Sequence, residues 1–108
     1  MSEKYWLKCK GYTEHVGILS VSFKSDEFNF IQNLRYKGPL PFFLRFNDAP
    51  MPMHKKIKMW ITERAPEPNY EFIDALIEKA GLKEYDAYGF FKYNNGKFIT
   101  DDFYVEKI

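Results

Sequence analysis

Hydrophobic residues in the first third of the chain recur every second position. In "KYWLKCKG" Tyr5, Leu7 and Cys9 alternate with Lys4, Lys8 and Lys10, the period of a strand with one face buried. Trp6 falls on the second face. "HVGILSVSF" repeats the pattern with Val16, Ile18 or Leu19, Val21 and Phe23, types that favour a pleated, half-buried surface. After the turn "KSDE", Phe28 and Phe30 open a third segment that Gln32 and Asn33 interrupt. Both a bulged strand and a strand running into a loop fit that interruption. "KGPLP" then reads as a turn or edge connection, "FFLRF" as a short fourth strand, and "NDAPMPMH" as a proline-rich crossing.

From His54 the period lengthens. Ile57, Trp60, Ile61 and Arg64 fall on one side of a helical wheel, with Lys55, Lys58 and Thr62 elsewhere, which predicts an amphipathic helix over 52–64. Pro66 stops it. Asn69 is positioned as the N-cap of a second helix, with Glu71 at the positive end of its dipole and Phe72, Ile73, Leu76, Ile77 and Ala80 as its apolar face. Gly81 and Leu82 suit a left-handed, back-folding end to that helix. A third helix is expected over 83–93, weakened by Gly89 and ended by "NNG". The closing "KFITDDFYVEKI" alternates like a strand on either side of Asp101-Asp102.

The elements add up to an α+β protein: an N-terminal antiparallel sheet of three or four strands packed with two or three short helices, the last residues returning as a strand or extended tail. A length of 108 residues suits one domain over 1–108. With 45% hydrophobic and 29% charged residues the chain sits in the globular range. No apolar run approaches the roughly 18 residues of a membrane span, and the N-terminus lacks the apolar stretch of a signal peptide, so a cytoplasmic location is expected. Cys9, the single cysteine, reads as a buried small hydrophobe.

Charge and spacing argue against most chemistry. A net charge of +1 does not suit a strong grip on polyanions, which needs clustered Lys and Arg; Lys55, Lys56 and Lys58 are the densest cluster. His15, His54 and Cys9 lack the paired spacings of a zinc site. Asp101 and Asp102, adjacent on a strand, would point to opposite faces. No glycine-rich phosphate loop is present, and "NNGK" reads as a tight turn. Neither histidine has the flanks of a nucleophile's base, and the fifteen carboxylates permit paired-acid hydrolysis without indicating it. No cofactor is implied. Phenylalanines among basic residues, as in "FKSDEFNF" and "FFLRF", suit core packing better than base stacking. Trp60 reads as a core anchor and Arg64 as a helix-end cap or salt-bridge donor.

One run carries a family signal. Trp60, Arg64, Pro68-Asn69, Ile73, Gly81-Leu82, Tyr85-Asp86, Gly96 and Asp101-Asp102-Phe103 form a pattern that resembles short bacterial and phage proteins of unassigned function and the N-terminal segment of HipA-like toxin-antitoxin kinases. The resemblance covers roughly the C-terminal half. Tyr70 stands where that pattern has a second arginine, which puts any contact made by that arginine in doubt. The kinase motifs His-Arg-Asp and Asp-Phe-Gly and the glycine-rich loop are missing, so the resemblance implies a stand-alone accessory lobe. The first functional expectation is therefore a non-catalytic protein-binding accessory module in a bacterial toxin-antitoxin or phage-host conflict, a phage-type inhibitor included, with Arg64, Tyr70, Tyr88 and Tyr93 as partner-binding anchors. The alternatives are a small nucleic-acid-binding protein using Lys55, Lys56 and Lys58, and a small enzyme with carboxylate chemistry.

Overall fold

A computed structural model describes residues 2–45 and 50–108. Three strands, β1 (Glu3–Cys9), β2 (Gly17–Ser22) and β3 (Glu27–Gln32), precede four helices, α1 (Phe42–Arg45), α2 (Met53–Glu63), α3 (Ile73–Lys79) and α4 (Ala87–Tyr93), and β4 (Phe103–Lys107) ends the chain. The strands form one sheet in the order β3-β2-β1-β4, each neighbouring pair antiparallel. The α+β architecture is as expected, with the chain end returning as the fourth strand.

Alternation along the strands decides which face is buried. Tyr5, Leu7 and Cys9 of β1, Leu19 and Val21 of β2, Phe28 of β3, and Phe103 and Val105 of β4 join Phe43, Ile57, Trp60, Ile61 and Phe91 in one core. Register keeps these residues side by side, with Leu7 opposite Val105, Tyr5 opposite Leu19 and Val21 opposite Phe28. Lys4, Trp6 and Lys8 alternate onto the other face. The third segment takes the loop alternative: β3 stops at Gln32, and Asn33 instead donates through Nδ2 to the His15 carbonyl at 2.9 Å and accepts the Arg35 amide at 3.2 Å.

"FFLRF" is not a strand. Phe42–Arg45 forms the single turn α1, while Phe46 and residues 47–49 of the crossing lie outside the described residues. The fourth strand of the sheet is β4, beside β1. Pro41, with its φ already set for a helical turn, accepts the Leu44 amide at 2.9 Å. The turn drives Phe43 fully into the core, edge-on to Phe30 and Trp60 at centroid distances of 5.2 and 5.4 Å.

The helix over 52–64 is found as α2 with Pro52 at its N-cap, and the predicted side is buried at Ile57, Trp60 and Ile61. Asn69 is not a cap. Residues 67–73 make overlapping reverse turns, Tyr70 N–H to the Glu67 carbonyl and Ile73 N–H to the Tyr70 carbonyl, each at 3.1 Å. Those bonds delay the helix until Ile73, with Phe72 at the N-cap and no side-chain cap. The apolar stripe that promised a core helix is only half-buried, and no residue of α3 is fully buried. Its end follows expectation: Gly81, at φ 72°, lets Leu82 N–H reach the Ile77 carbonyl at 3.0 Å and its own N–H reach Glu78 at 3.0 Å, both bonds of a Schellman end.

The last helix is shorter than the expected 83–93. It begins at Ala87 because Asp86 caps it, accepting the Tyr88 amide at 3.1 Å. Gly89 is explained by packing, since a Cβ there would lie 2.7 Å from Leu82 Cδ2. Asn95, at φ 54°, closes α4 with the same double bond pattern: Gly96 N–H to Phe91 at 2.9 Å and Asn95 N–H to Lys92 at 3.2 Å.

Asp86, which caps α4, and Asn69, expected to cap α3 but not doing so, should behave differently on truncation. In urea denaturation, Asp86→Ala is expected to lower stability by about 0.5 to 2 kcal/mol, whereas Asn69→Ala should leave the midpoint unchanged. Trp60→Ala, at a position only 4% exposed, should cost about 3 to 5 kcal/mol.

Candidate partner-binding surface

Helix α2 delivers Arg64 into the fold at its C-cap. The guanidinium carbon lies 4.2 Å from the centroid of the Trp60 ring, a cation-π geometry. Nε donates to the Gly96 carbonyl at 2.5 Å. The two terminal nitrogens take Asp101 in a fork, at 2.8 and 2.7 Å, and Nη2 also reaches the Phe103 carbonyl at 3.0 Å. The Arg64 side chain is 3% exposed and that of Asp101 30%. A bidentate pair with its arginine buried is among the stronger polar contacts a protein makes.

The same residues seal the outer side of β4. Asp101 Oδ1 accepts the Phe103 amide at 3.0 Å, and the Val105 amide donates to the Asn95 carbonyl at 2.8 Å. Between the two tied points, Gly96 and Asp101, the chain makes a short loop carrying Phe98 and Ile99. Phe98 is 37% exposed, with Arg64 5.5 Å from its ring, and Ile99 is 96% exposed. A cleft of about 390 Å³, lined by Pro41, Phe42, Trp60, Arg64, Phe98 and Thr100 among others, opens on one flank of this loop. A second hollow of about 440 Å³ on the other flank includes Lys10, Lys97, Asp102 and Tyr104.

A second polar group ties the chain's two ends to α4. Tyr88 Oη donates to Glu3 Oε1 at 2.5 Å and is hydrogen-bonded to Tyr5 Oη at 2.7 Å. Lys107 binds the other Glu3 oxygen at 3.0 Å, and Lys92 stands 3.9 Å from Oε1. The Tyr88 hydrogen bond, followed by that of Lys107, holds the Glu3 carboxyl below its ordinary range. Burial, then donation to Glu3, pushes the Tyr88 phenol up, and burial first of all raises Tyr5. Both phenols therefore keep their protons at neutral pH, and the group acts as a staple.

Of the four expected anchors, none is joined to another by a described hydrogen bond, ion pair or ring contact. Arg64 is buried and serves the fold. Tyr88 is half-buried between Phe23 and Phe91, with ring centroids at 4.9 and 6.2 Å. Tyr70 and Tyr93 remain on the surface, 48% and 47% exposed. The lysine cluster is broken up as well: Lys55 is exposed, Lys56 is buried, and Lys58 binds Asp26 at 2.8 Å. Asp101 and Asp102 part company, one inside on Arg64 and the other exposed. Cys9 is buried. Among the described residues no group of three or more His, Cys, Asp or Glu is placed to hold a metal ion, and no helix is long and apolar enough to cross a membrane.

Sequence reasoning missed the Phe98-Ile99 loop, because two apolar residues after a glycine read as the start of a strand. It also missed Glu3, whose partner Tyr88 lies 85 residues away. No protein-family model, curated protein or solved structure matches the chain.

Two outcomes are expected from the geometry. Asp101→Asn, which leaves the buried Arg64 without its counter-charge, should destabilise by up to about 3 kcal/mol in chemical denaturation, and Arg64→Lys, which keeps the charge but not the fork, should destabilise by less. Because the Glu3 carboxyl is lowered in the fold, its contribution is present above the ordinary carboxylate range near pH 4.3 and lost as pH falls through the lowered value. Glu3→Gln should flatten that acid limb of the stability curve.

Proposed function

We propose that the protein is a non-catalytic protein-binding module whose contact surface centres on the Phe98-Ile99 loop, with Tyr70 and Tyr93 as further exposed anchors. One observation carries the reading. Ile99 is held 96% exposed on a loop whose two ends are tied to a buried arginine. A large aliphatic side chain left in water by a fixed backbone gains about 1.5 to 3 kcal/mol when a partner covers it, and a loop that is already ordered loses little entropy on binding. The bacterial toxin-antitoxin or phage-host setting, and a cytoplasmic location, are part of the proposal and rest on the sequence pattern from Trp60 to Phe103.

The competing readings lose support. Nucleic-acid binding through Lys55, Lys56 and Lys58 would need a joint basic face, and Lys56 is buried while Lys58 is engaged by Asp26. A small enzyme with carboxylate chemistry would need two acids converging on a cleft, and the adjacent pair is split, Asp101 held by Arg64 and Asp102 exposed.

The test is partner capture from host cells with the parent and with Ile99→Asp and Phe98→Ala variants. The variants should lose a specific protein retained by the parent while keeping the parental denaturation midpoint. Retention of that protein by both variants, or recovery of RNA in place of protein, would overturn the reading.

A further inference from the structure

Asn95-Gly96 is the one Asn-Gly step in the sequence, and it lies where the loop, α4, β4 and Arg64 meet. Such a step carries its own chemistry. The backbone nitrogen of Gly96 can attack the side-chain carbonyl carbon of Asn95; the bond to the amide nitrogen breaks, and ammonia leaves with the proton that Gly96 gave up. The resulting succinimide is opened by water at either carbonyl, giving aspartate or isoaspartate. Only water is consumed. A following glycine favours the reaction, because it has no Cβ to obstruct the ring.

The fold opposes the backbone requirements of the reaction. The attacking nitrogen is occupied, with its N–H donated to the Phe91 carbonyl at 2.9 Å, and Gly96 is buried. Asn95 is held at φ 54°, its carbonyl accepting the Val105 amide at 2.8 Å, and the Gly96 carbonyl is gripped by Arg64 Nε. The Asn95 side chain is at the surface with no described partner. We infer that Asn95-Gly96 is a deamidation site held closed by the Arg64 clasp, and that its conversion to isoaspartate releases the Phe98-Ile99 loop. Isoaspartate routes the main chain through the former side chain and adds one backbone carbon. The Asn95 carbonyl bound by Val105 and the Gly96 carbonyl bound by Arg64 then cannot both keep their places. The modification site stands on its own geometry; an effect on partner capture would rest on the function proposed above.

The experiment incubates the full chain at mildly alkaline pH, folded and in concentrated urea, and follows ammonia release and isoaspartate at position 95 by peptide mapping. Because the reaction waits on opening of the structure, the unfolded chain should convert at position 95 faster than the folded one by about tenfold or more. Folded Arg64→Lys should convert at a rate between the two. Should that variant not fold, sub-denaturing urea on the parent chain takes its place, and the rate should climb before global unfolding begins. The purified isoaspartate form should have a lower urea midpoint than Asn95→Asp, which adds the charge without the extra carbon. Equal rates in the folded and unfolded chains, or a folded Arg64→Lys indistinguishable from the parent, would overturn the inference. So would an isoaspartate form as stable as Asn95→Asp.

Discussion

The buried guanidinium of Arg64 is the contact on which the C-terminal half depends. It joins the end of α2 to the turn after α4 and the start of β4, 32 to 39 residues further along the chain, with a single side chain. A planar fork with five fixed donors suits this place, where a carboxylate and two main-chain carbonyls converge. The guanidinium itself is shielded from water, with the Trp60 ring at 4.2 Å and the Phe98 ring at 5.5 Å, while Asp101 keeps one side at the surface. An edge strand with open hydrogen-bonding groups invites pairing with other chains; at the start of β4, Asp101, Arg64 and Asn95 occupy the Phe103 amide, the Phe103 carbonyl and the Val105 amide. The first half of the strand is thus covered while the loop before it is presented outward.

Legibility in the sequence followed the range of the forces involved. Period-two alternation marked β1, β2 and β4 because each strand has one face on the core, and helical spacing marked α2 for the same reason. Gly81-Leu82 named its own helix end, since the left-handed geometry is local. Asn69 misled because a good cap residue does not by itself place a cap: the turns of residues 67–73 used the backbone first. "FFLRF" misled because so short a run has no period of its own, and the turn begun at Pro41 makes it helical. Arg64 reads as a helix-end cap or salt-bridge donor and as a partner anchor; the salt bridge forms, but its acceptor was hidden. Nothing local distinguishes Asp101 from Asp102, and 37 residues separate the pair.

The candidate surface was less legible than the fold for a related reason. Tyrosines read as anchors from composition divide, once folded, into a staple at Tyr88 and exposed rings at Tyr70 and Tyr93. Ile99, the most exposed large hydrophobic side chain among the described residues, carries no motif. Exposure of an apolar group is a property of the tertiary structure, and it acquires meaning here only because the backbone beneath it is tied at both ends. The clasp therefore links stability to presentation of the surface, and the same link makes the Asn95-Gly96 junction consequential.

Native-state amide hydrogen exchange at Gly96 and Val105 tests that link most directly. If the Arg64 clasp locks the loop and β4 to the core, both amides should exchange only through global unfolding, with opening free energies equal to those of core amides such as Leu7 and Leu19. Exchange of Gly96 and Val105 through a separate, lower-energy opening, while Leu7 and Leu19 remain protected, would contradict it.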